Sequence, residues 1–161
     1  MMDRSKSFIS RFASDCRGFG AMELALALPF LMLLCLGMID GSTLISTKID
    51  YEQAAQRTTD FALAKRPTND STAYLLTEAK NASGLSADEI TVEIFLECDG
   101  VRQTTFDSQC GDTQVTARYV SVEIENDVKT QFDWAALSSV LGIKGFSNSV
   151  KVTGDSLVRF Q

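Results

Sequence analysis

Histidine is absent from this 161-residue chain. That absence removes Ser-His-Asp and Cys-His nucleophilic chemistry and histidine-ligated zinc from within the chain. Proline occurs only at Pro29 and Pro67, tryptophan only at Trp134, and cysteine four times. There is no internal repeat, no low-complexity tract and no glycine-rich phosphate loop. Charge itself is missing from one stretch: between Ala21 and Ile39 the sole acidic or basic residue is Glu23. At ~1.5 Å of rise per residue this run spans about 28 Å, close to the ~30 Å hydrocarbon core of a bilayer. The run therefore predicts a membrane-spanning helix. About 120 residues follow it, enough for one small core and not for two.

An ionised carboxylate at a membrane helix end is costly and marks a functional position whose partner has to be found. Residues 1–18 hold four basic residues against two acidic ones, a net of +2. From Asp40 onward 11 basic residues face 18 acidic ones, a net of −7. Positive flanks stay cytoplasmic, so the chain is expected to sit in the inner (cytoplasmic) membrane as a single pass. Its N-terminus would be cytoplasmic and its C-terminal domain periplasmic or extracellular. The acidic excess argues against nucleic acid as a partner, because phosphates are neutralised by clustered Lys and Arg. Two other readings of the N-terminus stay open. One is a secretory signal cut near Gly41-Ser42-Thr43, and the other is a plain uncleaved anchor.

Pro29 removes one helical hydrogen bond and crowds the carbonyl of Ala25, so a kink is expected there. Beyond Ile39 the helix is expected to continue, with Leu44, Tyr51, Ala55 and Ala62 on one face, until Pro67 stops it. A short second helix is expected over 71–82, capped by Ser71 or Asp70 and stopped near Gly84. Then the period changes to two. Val92, Ile94 and Leu96 alternate with Thr91, Glu93, Phe95 and Glu97, the pattern of a half-buried strand. Asp99-Gly100 signals a hairpin into a strand over 101–106, and a third strand is expected over 114–125 with Val120, Val122 and Ile124 on one face. Trp134, Leu137, Val140 and Leu141 read as a short helical or irregular piece under the sheet. One last strand, or two divided at Gly154-Asp155, is expected over 149–160. The class is α+β: a long N-terminal transmembrane helix extending into solvent, a short helix and a small antiparallel β-sheet.

The stretch Arg17-Gly18-Phe19-Gly20-Ala21-Met22-Glu23-Leu24-Ala25-Leu26-Ala27-Leu28-Pro29 resembles the processing site and membrane start of class III signal-peptide proteins, the prepilins and pseudopilins. Within them it is most similar to the TadE-like minor pilins of tight-adherence (Flp) type IV pilus systems. The resemblance is specific over residues 17–41 and loose beyond them, where a strand-rich domain ends near an arginine, here Arg159. It implies cleavage between Gly18 and Phe19 by a membrane aspartyl peptidase, which would leave the new Phe19 amine one helical turn from Glu23. Glu23 would then be the processing and assembly carboxylate. The implied organisation is a cytoplasmic leader over 1–18, a span over 19–39, a membrane-proximal helix over 40–66 and an exported α+β domain over 67–161. Implied partners are the membrane, a prepilin peptidase, other pilins and inner-membrane pilus-assembly proteins, with incorporation into an adhesive pilus as a further step. The competing functional class is a signal-anchored periplasmic binding or adhesion module unrelated to pili.

The cysteines divide by predicted compartment. Cys16 lies in the leader, Cys35 in the span, and Cys98 and Cys110 in the exported domain on either side of a turn-rich segment. A disulfide between Cys98 and Cys110 would close a loop of about a dozen residues and contribute ~3 kcal/mol on the chain-entropy account. Two thiolates without histidine make a poor metal site, so no metal or cofactor is expected. The carboxylate pairs Asp88-Glu89 and Glu123-Glu125 read as solvated charges and not as an acid–base dyad. No enzymatic activity is expected.

Overall fold

A computed structural model describes residues 19–161, which group into two compact units dividing after Asp40. The leader over 1–18, with Cys16, Arg17 and Gly18, lies outside the described residues. Helix α1 covers Phe19–Ala64 and helix α2 Ala73–Ser83. A 3-10 turn at Ala87–Glu89 leads into β1, Ile90–Cys98, and β2, Val101–Arg102. Then come β3, Thr116–Lys129, helix α3, Trp134–Leu141, and β4, Ser149–Arg159. The strands form one antiparallel sheet in the order β2-β1-β3-β4. The α+β class with a long helix, a shorter one and a small antiparallel sheet is the one observed.

In the first unit, α1 is apolar on all sides and buries almost none of it. Met22, Leu26, Phe30 and Met38 are each about two-thirds exposed. A helix that is hydrophobic all round needs lipid or other helices around it, and this one is long and apolar enough to cross a membrane.

In the second unit the same helix changes character. Its buried face is made of Tyr51, Ala54, Ala55, Thr58, Thr59 and Ala62, nearly all small. Small residues let the helix backbone lie close on β4. Thr58 hides its hydroxyl by donating to the Ala54 carbonyl at 2.8 Å, and the Thr59 and Ser156 hydroxyls meet at 2.9 Å. Lys48 Nζ donates to the Thr153 carbonyl at 3.2 Å, and Asn126 Nδ2 donates to the Tyr51 hydroxyl at 3.1 Å. The closest approach is at Gly154. A Cβ there would stand 2.5 Å from the Glu52 nitrogen and 2.7 Å from Tyr51 Cβ. Of the two alternatives, one strand or two divided at Gly154, the single strand is the one observed. β4 is unbroken, with Gly154 paired to Ile124, and the glycine is there to let a helix in.

The core closes over this face with Leu75 and Ala79 of α2, Val120, Val122 and Ile124 of β3, and Phe106 and Phe160 from the loops. α2 is fastened to α1 by Arg57–Glu78 at 2.9 Å and by the Tyr74 hydroxyl on the Lys65 carbonyl at 3.2 Å. Its N-cap position is Thr72, not Ser71 or Asp70, with no side-chain cap bond, and just before it the Ser71 amide donates to Asn69 Oδ1 at 3.1 Å. Gly84 ends it at φ +73° with its N–H on the Lys80 carbonyl. The other face of the sheet is the polar one. Phe95 and Tyr119 pair across β1 and β3 with ring centroids 5.3 Å apart, and the Arg102 guanidinium lies 4.2 Å over Phe95.

The Asp99-Gly100 turn forms as expected, with both residues at positive φ, the geometry of a two-residue hairpin. β2 is shorter than the expected 101–106 strand. After Arg102 the chain turns inward and places Phe106 against Phe160, with the Arg118 guanidinium 4.9 Å from its ring centre. Cys98 and Cys110 are joined in a disulfide that pins this loop to the end of β1. Asp99 Oδ1 accepts the Val115 amide at 2.8 Å on the returning side.

The expectation that residues 134–141 lie under the sheet is also corrected. α3 buries no residue, and Val140 is 83 % exposed. The apolar face of the sheet is already occupied by α1 and α2. The β3–β4 connection emerges beyond the Lys129–Ser149 pair, past the end of the ladder. α3 is still well anchored. Asp133 accepts the Ala136 amide at 2.8 Å and the Asn148 side chain at 2.7 Å, and these bonds hold its carboxyl below the usual aspartate range. The Ser86–Glu89 capping box likewise lowers Glu89 and gives that carboxylate a structural use.

Gly154→Ala should destabilise the fold by ~1–3 kcal/mol, read as a lower thermal midpoint. Leu157→Ser, on the exposed side of the same strand, should stay within about 0.5 kcal/mol of the parent. In denatured but unreduced protein, iodoacetamide should modify Cys35, and Cys16 where the leader is retained. Cys98 and Cys110 should react only after reduction. A carboxyl held low by native bonds contributes stability that is present above the ordinary aspartate range and lost as pH falls below it. Hydrogen-exchange protection of α3 should therefore fall below about pH 4 before that of β1 and β3. Asp133→Ala should abolish the difference between neutral and acidic pH.

Candidate functional site

The N-terminal stretch of α1 is where chemistry and fold meet. α1 begins at Phe19, so the Gly18–Phe19 bond adjoins its first residue; of the side chains there, nothing is described for Phe19 or Ala21. Glu23 is four residues into the helix and exposed. Residues at i and i+4 lie one above the other on the same helix face. Along the axis the separation from Phe19 to Glu23 is ~6 Å at 1.5 Å per residue. A chain starting at Phe19 would thus carry an ammonium group at a helix N-terminus within a turn of a carboxylate. A helix N-terminus also favours negative charge through its unpaired N–H groups.

Around Glu23 the exposed surface is Met22, Leu24, Leu26 and Leu28, and among the described residues no other charged one stands before Asp40. The carboxylate therefore stands alone in an apolar setting, as its spacing predicts. Helix α1 runs through Pro29 as a single helical element. Leu28, Leu31, Met32, Cys35 and Leu36 form a shallow apolar groove on its next turns. Cys35 is a free, exposed thiol in this groove. Cys98 and Cys110 are brought together, as the sequence suggested, but in the second unit they serve its architecture and have no link to Glu23.

Among the described residues no group of three or more Cys, Asp or Glu is arranged to hold a metal ion. Glu123 pairs across the sheet with Thr91 and Asp155, and Glu125 is engaged by Lys151. These acids stand on the sheet, on β3. Arg159, at the end of β4, reaches the Thr116 carbonyl at 3.1 Å and the Gln161 carbonyl at 2.8 Å, which closes the C-terminus onto β3. The exposure of one feature escaped the sequence pattern: the open apolar tip formed by α3 and the loop after it. Gly142 and Gly145, both at positive φ, were its only sequence sign, because they turn Ile143 and Phe146 back toward the helix.

No curated protein and no solved structure matches the chain. The family described as TadE-like protein matches residues 18–60, from the glycine before Phe19 through most of α1. That segment, which carries Glu23 and Pro29 and most of the small-residue face that seats on β4, is what the chain shares with TadE-like proteins.

Proposed function

We propose that this chain is a minor pilin, cut by a prepilin peptidase between Gly18 and Phe19 and used in assembling a Flp-type adhesive pilus. The observation that carries the reading is the isolated carboxylate of Glu23, four residues beyond the cleavage point, on a helix whose surroundings are entirely apolar. The TadE-like match over 18–60 supports it from a separate direction. In this reading the chain is a single-pass protein of the cytoplasmic membrane, its leader inside and its sheet domain outside. The leader's +2 charge supports that orientation.

Cleavage would place a cation one helical turn from Glu23. The Phe19 amine, from the same chain or from a neighbouring subunit, would neutralise it as the apolar helices pack into a filament. Breaking a buried ion pair by removing one partner costs ~3–5 kcal/mol, whereas an out-of-register neighbour leaves both charges unpaired. The pair would therefore select axial register. Pro29 would provide a point of bending or local unwinding where the helix passes from lipid into a protein bundle. The role is structural and not enzymatic. The sheet domain, stiffened by the Cys98–Cys110 bridge, would be what the assembly displays.

Co-expression with a prepilin peptidase and sequencing of the mature N-terminus tests the reading. Phe19 is the expected start. A start near Ser42 would make the apolar run a secretory signal, and an intact Met1 would make it a plain anchor for a tethered binding module. Glu23→Ala should leave membrane retention intact and lower incorporation into filaments by about a hundredfold or more, the factor that ~3 kcal/mol represents.

A further inference from the structure

The loop between β2 and β3, residues 103–115, has little of its own to hold it in place. Inside it the backbone bonds are local: the Ser108 amide on the Thr105 carbonyl at 3.4 Å and the Gln114 amide on the Gly111 carbonyl at 2.8 Å. Its roots are tied on both sides. The Gln103 amide donates to the Leu96 carbonyl at 2.8 Å, and Asp99 and Val115 share two bonds, at 3.0 and 2.8 Å. Between those roots, among the described residues, 104–114 are fastened to the rest of the domain at two points. One is the buried ring of Phe106 and the other is the bridge from Cys110 to Cys98. Ordering so long a stretch of backbone costs more conformational entropy than one buried ring offsets. The bridge therefore decides whether the loop stays closed.

What the loop closes is one end of the core. Phe106 is 6 % exposed and lies on Phe160, with ring centroids 6.4 Å apart and the Arg118 guanidinium 4.9 Å from its own ring centre. Phe160 in turn carries the last rung of the β3–β4 ladder, its amide on the Arg118 carbonyl at 2.9 Å. Arg118 Nη1 then donates to Gln161 Oε1 at 2.7 Å. Bridge, loop and the end of β4 are thus one connected closure. The middle of the sheet has its own support. There Tyr51 of α1 comes against Gly154, the Thr59 and Ser156 hydroxyls meet, and Val122 and Ile124 are fully buried in a core shared with Leu75 and Ala79 of α2.

We propose that the Cys98–Cys110 bridge is a redox latch: while it is intact the loop closes the end of the core, and its reduction opens the loop and the end of β4 without unfolding the rest of the domain. The point of entry is Cys110, which is half-buried, whereas Cys98 is 4 % exposed. A thiolate of a dithiol reductant attacks Cys110 Sγ and forms a mixed disulfide, and Cys98 leaves as a thiolate and takes up a proton. The reductant's second thiol, as thiolate, displaces Cys110, which is protonated in turn. Two electrons pass to the bridge, both protons come from the reductant's thiols, and the reductant ends as its own disulfide. An oxidant of the disulfide class reverses both steps. The latch thereby separates a chain that has met an oxidising compartment from one that has not, since only the first hides Phe106 and Phe160. It would operate whether or not the chain is cut before Phe19.

The full-length protein in detergent micelles is compared before and after treatment with dithiothreitol, with the state of the bridge followed by thiol titration. Limited chymotrypsin digestion, mapped by mass spectrometry, reads the loop, because Phe106 can be cut only when it leaves the core. Cleavage after Phe106 should be at least about tenfold faster in the reduced protein. Amide exchange at Gln103 and Phe160 should rise about a hundredfold, the factor that loop closure by such a bridge represents. Exchange at Val122 and Ile124 should stay within about threefold of the oxidised value. Cys98→Ser together with Cys110→Ser should give the reduced pattern with no reductant present. Cys110→Ser alone, a change at the half-buried position, is the check if the double variant misfolds. A reduced protein that keeps Phe106 uncut and Phe160 protected would overturn the proposal. So would loss of protection at Val122 and Ile124 along with the loop, which would make the bridge a support of the whole domain. A bridge that dithiothreitol opens only in denaturant would overturn it as well.

Discussion

A carboxylate on an apolar helix is tolerable only where a cation can reach it, and Glu23 has none among the described residues around it. The interaction on which the proposed role depends is therefore one that the precursor lacks and that a single peptide-bond cleavage would create. Cleavage before Phe19 would free an amine at the helix terminus, one turn away and on the same face. Such a design would tie assembly to processing, since only a cut chain would carry the Phe19 amine into a helix bundle. It also makes register a matter of electrostatics, because apolar surfaces alone slide past one another with little penalty.

The second constraint is geometric. Past Asp40 the helix that was apolar on every side becomes a packing element with a face of alanine and threonine, and β4 answers with a glycine. Gly154 and the small residues of α1 together set how closely helix and sheet approach. The remaining core follows from that approach: α2 fills the space beside α1, and Phe106 and Phe160 close one end. The disulfide fastens the loop over 103–115, between β2 and β3, to the end of β1. Each of these devices stiffens the domain outside the apolar run.

Much of this was legible in the residues. Apolar length, the lone Glu23, the change of period after Gly84 and the Asp99-Gly100 turn each have a local cause, and local causes are written locally. The pairing of Cys98 with Cys110 followed from their being the two cysteines on the same predicted side of a membrane. What was not legible required knowing which surface faces which. Gly154 looks like a strand breaker until a helix is placed over it. The apolar spacing of Trp134, Leu137, Val140 and Leu141 suggests burial, but periodicity cannot say that α1 and α2 already cover the sheet. The short β2 has the same origin, because Phe106 is drawn inward by Phe160, some fifty residues on in the chain.

The pair between the Phe19 amine and the Glu23 carboxylate can be measured as a distance. Assembled filaments, prepared from chain labelled with nitrogen-15 at Phe19 and carbon-13 at the Glu23 carboxyl, are suited to solid-state dipolar recoupling. Mixing singly labelled chains separates pairs within a subunit from pairs between subunits. The account predicts an ammonium nitrogen within about 4 Å of a Glu23 carboxyl, in one of the two arrangements. A Phe19 nitrogen that resonates as an amide, or an ammonium with no Glu23 carboxyl near it in either sample, would contradict it.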